Sequence, residues 1–103
     1  MSASPESHVE REARPRLVFF FRKASGPSRR VEGYLSQVLQ RRGNHHSFEL
    51  LNVDVDDNAE LAAHFVIDEV PTIVVVENKR VRGRLEGPRG CRDIERLLAP
   101  WLH

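Results

Sequence analysis

Residues 17–31 read L-V-F-F-F-R-K-A-S-G-P-S-R-R-V, and they set the architecture of the whole chain. The stretch opens with five apolar residues, rich in Val and Phe, that are typical of a buried strand. It then turns polar, and Ser25 occupies the position of a helix N-cap. Pro27 follows just inside the predicted helix, where its missing N–H costs no hydrogen bond. A strand therefore runs almost directly into a helix at this corner.

Apolar spacing predicts three further strands and two further helices in the rest of the chain. In the first helix, apolar residues recur at three- and four-residue steps from Val31 to Leu39, which gives one buried stripe. The predicted strands are Leu17–Phe21, Phe48–Val55, Thr72–Glu77 and Arg80–Leu85, and the predicted helices are Ser28–Arg42, Ala59–Phe65 and Cys91–Leu102. The order is β-α-β-α-β-β-α. A right-handed crossover makes the first two strands parallel, and the last two form an antiparallel hairpin.

Three segments in this order resemble the thioredoxin family. They are S-G-P-S at 25–28 after an aromatic strand, L-N-V-D at 51–54, and V-P-T at 70–72. The resemblance covers Leu17 to Leu102. It implies an α/β, thioredoxin-like fold with a shortened core around a mixed four-stranded sheet. It also implies that Pro71 is cis, that Gly87 lies near the corner, and that Lys79 occupies a turn position where glycine is usual.

The residues that give this family its redox chemistry are absent from the chain. The family writes W-C-G-P-C at the corner, and the matching degenerate motif here is Ala24, Ser25, Gly26, Pro27 and Ser28. A serine forms no disulfide, and a serine nucleophile needs a general base, which the surrounding residues do not offer. We therefore expect no catalytic residue at the corner and no enzyme activity from it.

Two buried positions beneath the corner also depart from the family pattern. Phe19 stands where thioredoxins commonly bury an Asp, and Leu50 stands where they place the Lys that partners it. We expect apolar side chains to fill the space of the proton relay. Because the family Trp, Asp and Lys are missing together with both cysteines, natural loss explains the serines better than engineered substitution.

Cys91 is the one cysteine, so an intramolecular disulfide is impossible. It begins the last predicted helix between Arg89 and Arg92, where helix dipole and cations favour a thiolate. Cys91 is therefore a candidate reactive thiol for mixed disulfides or an intermolecular bridge, with an ordinary surface or half-buried cysteine as the alternative. The five histidines show no metal-ligand spacing, so we expect neither a metal site nor a cofactor.

The remaining candidate for a functional site is a peptide-binding surface. In the family, the corner, the cis-proline loop and a glycine loop form a groove that binds extended peptides, and Val70, Pro71, Thr72 and Gly87 match it here. We therefore expect a redox-inactive protein-binding module, such as a co-chaperone or an assembly or regulatory partner. Two alternatives stay open: mixed-disulfide chemistry at Cys91, and a structural homodimer that pairs the edge strand Arg80–Leu85.

Composition limits the other function classes. The 103 residues include 16 Lys and Arg and 15 Asp and Glu, for a net charge of +1, which argues against a general nucleic-acid binder. The arginine pairs at 29–30 and 41–42 are interpreted as solvated helix faces. No apolar run suits a membrane span or a signal peptide, so we expect a cytoplasmic protein.

Residues 1–16 are predicted to be a flexible arm, with a helical fragment at Ser7–Glu12. Residues 17–103 are predicted to form the domain.

Overall fold

The computed structural model describes residues 14–102. Its strands are β1 (Arg16–Phe21), β2 (Glu49–Asp54), β3 (Thr72–Glu77) and β4 (Arg80–Glu86), and its α-helices are α1 (Gly26–Gln40), α2 (Ala59–His64) and α3 (Cys91–Leu98). A 3-10 helix, Arg41–Ser47, follows α1. β1 begins one residue inside the segment predicted to be the arm. The predicted helical fragment Ser7–Glu12 lies outside the described residues, and the division of the chain into arm and domain stays a prediction.

The four strands form one mixed sheet in the order β2-β1-β3-β4. β1 runs parallel to β2, with Arg16 opposite Glu49, and antiparallel to β3, with Phe19 opposite Ile73. β3 and β4 form an antiparallel hairpin with a register shift between Val75 and Val76. The predicted α/β class and mixed four-stranded sheet are confirmed.

Both faces of β1 are buried, which explains its unbroken apolar run. Leu17 and Phe19 face the core beneath α1 and α3, whereas Val18 and Phe20 face the opposite core. Phe65, directly after α2, packs on Phe20 with ring centroids 5.5 Å apart. The corner that follows β1 is therefore held by a strand packed between two hydrophobic layers.

The helix ends differ from the predicted ones for local reasons. α1 ends at Gln40 because Arg42 and Gly43 adopt left-handed conformations, with φ of 54° and 68°. The next residues, predicted to be a loop, continue as a 3-10 helix in which Asn44 Nδ2 donates to the Arg41 carbonyl at 2.7 Å. α3 ends at Leu98 rather than Leu102, just before Pro100, whose ring cannot continue an α-helix.

In the β3–β4 turn, Lys79 adopts the left-handed backbone for which the family usually has glycine. Asn78 and Lys79 have φ of 54° and 66°, the two positive values that a type I′ hairpin turn requires. The clash of the Cβ atom opposes this conformation in both residues, but the short polar side chain of Asn can compensate through local hydrogen bonds and the long side chain of Lys does not. Further along β4, the Arg84 guanidinium donates to the Phe65 carbonyl at 2.7 Å and to the Val66 carbonyl, so it satisfies carbonyls at the end of α2.

Candidate functional site

The corner between β1 and α1 is built by two serine hydroxyls. Ser25 is extended, with φ of −89° and ψ of 119°, and its Oγ accepts a hydrogen bond from the Ser28 N–H at 3.1 Å. Ser28 is buried, and its Oγ accepts from the Arg22 N–H at 3.2 Å. Ser25 is thus the N-cap that the sequence predicts, and both hydroxyl oxygens serve backbone groups of the same turn.

Three ion-pair contacts join the corner to the end of β2 and to the β2–α2 loop. Arg22 lies 3.2 Å from the Asp56 carboxylate, and Lys23 Nζ lies 3.7 Å from both Asp54 and Asp57. Most of these side chains are exposed, so each pair adds little stability. Asp54 is the exception, because it is buried and its Oδ1 also accepts the Asp56 N–H at 3.0 Å. These contacts therefore orient the corner more than they stabilise it.

The two positions predicted to lie beneath the corner, Phe19 and Leu50, differ in burial. Phe19 is 2% exposed and stacks on Phe21 with ring centroids 5.6 Å apart, so an apolar ring does fill the core under the motif. Leu50 is 42% exposed, and the expectation that it fills the same space is wrong. β2 is the outer strand of the described sheet, so no further described strand covers Leu50.

A groove of about 320 Å³ opens beside the corner. The Val70–Pro71 peptide bond is cis, and the Pro71 carbonyl accepts a hydrogen bond from the Gly87 N–H at 2.9 Å. This bond holds the loop before β3 against the loop after β4. The groove is lined by residues from α1 and from both loops: Pro27, Arg30, Val31, Tyr34, Pro71, Gly87, Pro88 and Arg89.

Comparison with known proteins places this arrangement in a family. The family model described as Thioredoxin matches residues 2–100. The chain belongs to the thioredoxin family. It is 27% identical over 90 residues to a thioredoxin of Mycolicibacterium smegmatis, covering 87% of this chain and 80% of that protein. It is also 27% identical over 97 residues to a thioredoxin of Mycobacterium tuberculosis, covering 94% and 82%. The structure of Fasciola hepatica thioredoxin shares the fold, with a TM-score of 0.76, 23% identity and coverage of 96% of this chain and 92% of that one.

Within this thioredoxin-family fold, the residues predicted for the corner motif and the groove fall in four places. Pro27, Pro71 and Gly87 line the groove. Val70 lines a neighbouring cleft of about 290 Å³ between the corner and α2. Thr72 is fully buried, and its Oγ1 donates to the Glu69 carbonyl at 2.8 Å, so its side chain supports the cis-proline loop from below. Ala24 and Gly26 are exposed at the corner without lining the groove.

Sequence reasoning missed Arg30, Tyr34 and Arg89 as groove residues. The sequence pattern predicts Arg30 on a solvated helix face and Tyr34 in the buried stripe of α1. The signal was present in their spacing, because Pro27, Arg30 and Tyr34 recur at three- and four-residue steps and share one side of the helix. Arg89 carries no comparable signal, since only the β4–α3 connection brings it to the groove.

The groove edge offers free backbone groups. Within residues 14–102, the N–H and C=O of Val70 form no hydrogen bond. Val70 is only half-buried, so these groups lie near the surface. An exposed pair of this kind is what an extended peptide uses when it adds to the edge of a folded domain.

Cys91 is the first residue of α3 and is half-buried. Its Sγ donates to Gln37 Oε1 at 3.1 Å and lies 3.7 Å from the Tyr34 carbonyl oxygen. Both contacts are to α1, so the thiol helps to join the two helices that cover one face of the sheet. Among the described residues no group of His, Cys, Asp and Glu side chains could hold a metal ion, and no helix there has the length and apolar character to cross a membrane.

Proposed function

We propose that this chain is a redox-inactive member of the thioredoxin family that binds another protein, as a co-chaperone or an assembly or regulatory partner in the cytoplasm. The observation that carries the proposal is the pair of serines at the corner. Dithiol chemistry needs an attacking and a resolving thiol, and a chain with one cysteine cannot supply both. The Ser25 and Ser28 oxygens instead accept backbone hydrogen bonds.

In this proposal, the partner binds in the groove and to the backbone of Val70. Three of the groove-lining residues are prolines and one is a tyrosine, a rigid and mostly apolar surface. Rigid surfaces lose little conformational entropy when a ligand binds. An extended segment of the partner would lie beside Pro71 and pair with the free Val70 backbone groups, as in strand addition. Neither nucleic acid nor a membrane is part of this proposal.

The first experiment separates redox activity from binding. Insulin reduction with dithiothreitol would be measured for the wild-type chain and for a Ser25→Cys/Ser28→Cys variant that restores the motif. We expect no acceleration by the wild-type chain, whereas a rate above background with the wild-type chain would overturn the redox-inactive part of the proposal. The variant shows whether the scaffold still supports the chemistry that its serines forbid.

The second experiment tests the groove as the binding surface. Partners captured from native lysate would be compared between the wild-type chain, a Pro27→Ala/Tyr34→Ala groove variant and a Leu50→Ala control at the exposed edge of β2. Circular dichroism would first establish that all three are folded. A partner retained by wild type and control and lost by the groove variant supports the proposal. Equal capture by all three, or capture by none, contradicts it.

The alternative functions have less support from the described contacts. The Cys91 thiol is already engaged with α1, although a Cys91→Ser variant that loses activity while it keeps binding would favour thiol chemistry. β4 carries arginines at 80, 82 and 84, and charged side chains on an edge strand oppose pairing with a second copy. A sedimentation coefficient that does not change with protein concentration would remove the homodimer.

A further inference from the structure

Two arginines give the groove a positive charge that no other residue in the described part of the chain neutralises. Arg30 comes from α1 and Arg89 from the β4–α3 loop, and both are exposed. Within residues 14–102, neither guanidinium forms an ion pair or a hydrogen bond. Arg30 Nη1 lies 3.8 Å from the position that a Cβ on Gly26 would occupy, so its charge sits directly beside the corner.

The nearby carboxylates are directed to other partners. Asp93 accepts the backbone N–H of Arg89 at 2.9 Å and lies 3.8 Å from Arg96. Glu86 lies 3.9 Å from Arg84. None of the residues that line the groove is acidic, and the first turn of α1 contains no acidic residue. Among the residues that the structure describes, two arginine side chains therefore flank the groove without a carboxylate partner.

We infer that the groove selects an extended acidic peptide segment, one in which Asp or Glu side chains neighbour an apolar residue; this inference rests on the proposed function. The guanidinium group binds carboxylates through two parallel hydrogen bonds, which makes arginine specific as well as attractive. The apolar residue of the segment packs on the exposed Pro27 and the half-buried Tyr34 while its carboxylates reach Arg30 and Arg89. The two arginines are held on different elements, α1 and the β4–α3 loop. They therefore favour peptides whose acidic residues have a matching spacing, as well as a negative charge.

Phage-displayed random dodecapeptides provide the test. Selection would be run on the immobilised wild-type chain, on Arg30→Glu, on Arg89→Glu, and on Arg80→Glu as a control of equal charge change. Arg80 is exposed and lies opposite Glu77 in the β3–β4 register, at the other end of the hairpin from the groove. We expect wild type and control to enrich acidic peptides and the two groove variants to lose that preference.

Fluorescence anisotropy would then measure the affinity of the chain for an enriched peptide and for its Glu→Gln counterpart. Replacing one carboxylate or one groove arginine should weaken binding by about fivefold, the upper end of what one solvent-exposed ion pair contributes, and added salt should weaken binding further. Enriched peptides that are neutral or basic would overturn the acidic preference while the proposed function stands. No enrichment at all would overturn the proposed function itself. Equal weakening by Arg80→Glu, or equal affinity for a single-stranded oligonucleotide, would show general charge attraction and overturn the inference.

Discussion

Replacing Ser25 by alanine tests whether the motif serines are structural. Ser25 Oγ accepts the Ser28 N–H at 3.1 Å, and alanine leaves that N–H without its cap. Loss of a serine N-cap costs about 1 kcal/mol. We expect this cost to lower the free energy of unfolding of the whole domain. The reason is that the first turn of α1 is held in place by buried Ser28, whose Oγ accepts a hydrogen bond from the Arg22 N–H. For a domain of this size, about 1 kcal/mol lowers the melting temperature by roughly 4–8 °C.

A matched pair of variants makes the measurement specific. Ser25→Asp keeps an acceptor at the cap and adds a negative charge at the N-terminus of α1, where no acidic residue stands in the first turn. We expect it to be at least as stable as the wild-type chain at pH 7. Ser36→Ala removes a hydroxyl from the exposed middle of the same helix and should leave stability unchanged or slightly higher.

Urea denaturation followed by circular dichroism provides the free energy of unfolding of each variant. The capping interpretation requires a lower transition midpoint for Ser25→Ala with an unchanged slope. The aspartate advantage should also fade as the pH falls below about 4, because the helix terminus stabilises only the ionised carboxylate. If Ser25→Ala is as stable as the wild-type chain, or if Ser25→Asp is destabilised as much as Ser25→Ala, the hydroxyl is not a cap that matters and the reasoning is refuted.

Three further predictions concern the scaffold around the groove. Lys79→Gly should raise the free energy of unfolding in urea by about 0.5–1 kcal/mol, because Lys79 has a φ of 66° that glycine adopts without strain; a loss of stability would contradict this. Gly83→Ala should cost about 0.5–1 kcal/mol, because its Cβ would lie 2.7 Å from Leu97 Cδ1 and this half-buried side chain must turn away, and the cost should shrink when Leu97 is also alanine. Arg84→Met should raise amide hydrogen exchange in α2 about fivefold and leave α1 unchanged, since the guanidinium binds the Val66 carbonyl beyond the helix end; equal acceleration in both helices would instead indicate global destabilisation.

Local pattern was enough to predict the elements and their order. The apolar run of β1 indicated a strand buried on both faces, and the structure buries Phe19 and Phe20 in opposite cores. The N-cap at Ser25 was also predictable, because capping depends on residues only three positions apart. Helix ends were less predictable. Arg42 takes a left-handed conformation that no propensity for arginine indicates, so α1 ends at Gln40.

Exposure at the sheet edge could not be predicted from the family pattern. Leu50 matches a buried lysine position of the family, and its apolar character suggested that it would fill the same space. Whether a side chain is covered depends on what packs beside its strand, and β2 lies at the edge of the described sheet. Thr72 shows the reverse case, because its place in the V-P-T segment suggested a groove surface and the fold buries it completely.

The sequence by itself therefore determined the strand and helix pattern, the thioredoxin-like order of its segments, the capped corner and the loss of both motif thiols. These properties depend on residues that are neighbours in the chain or on residue identity alone. Only the tertiary structure decided that Arg30 and Arg89 share one groove with Pro27 and Pro71. The proximity of these four residues depends on the strand order and on how two loops pack against α1. Those are properties of contacts between segments that are far apart in sequence, which local periodicity does not encode.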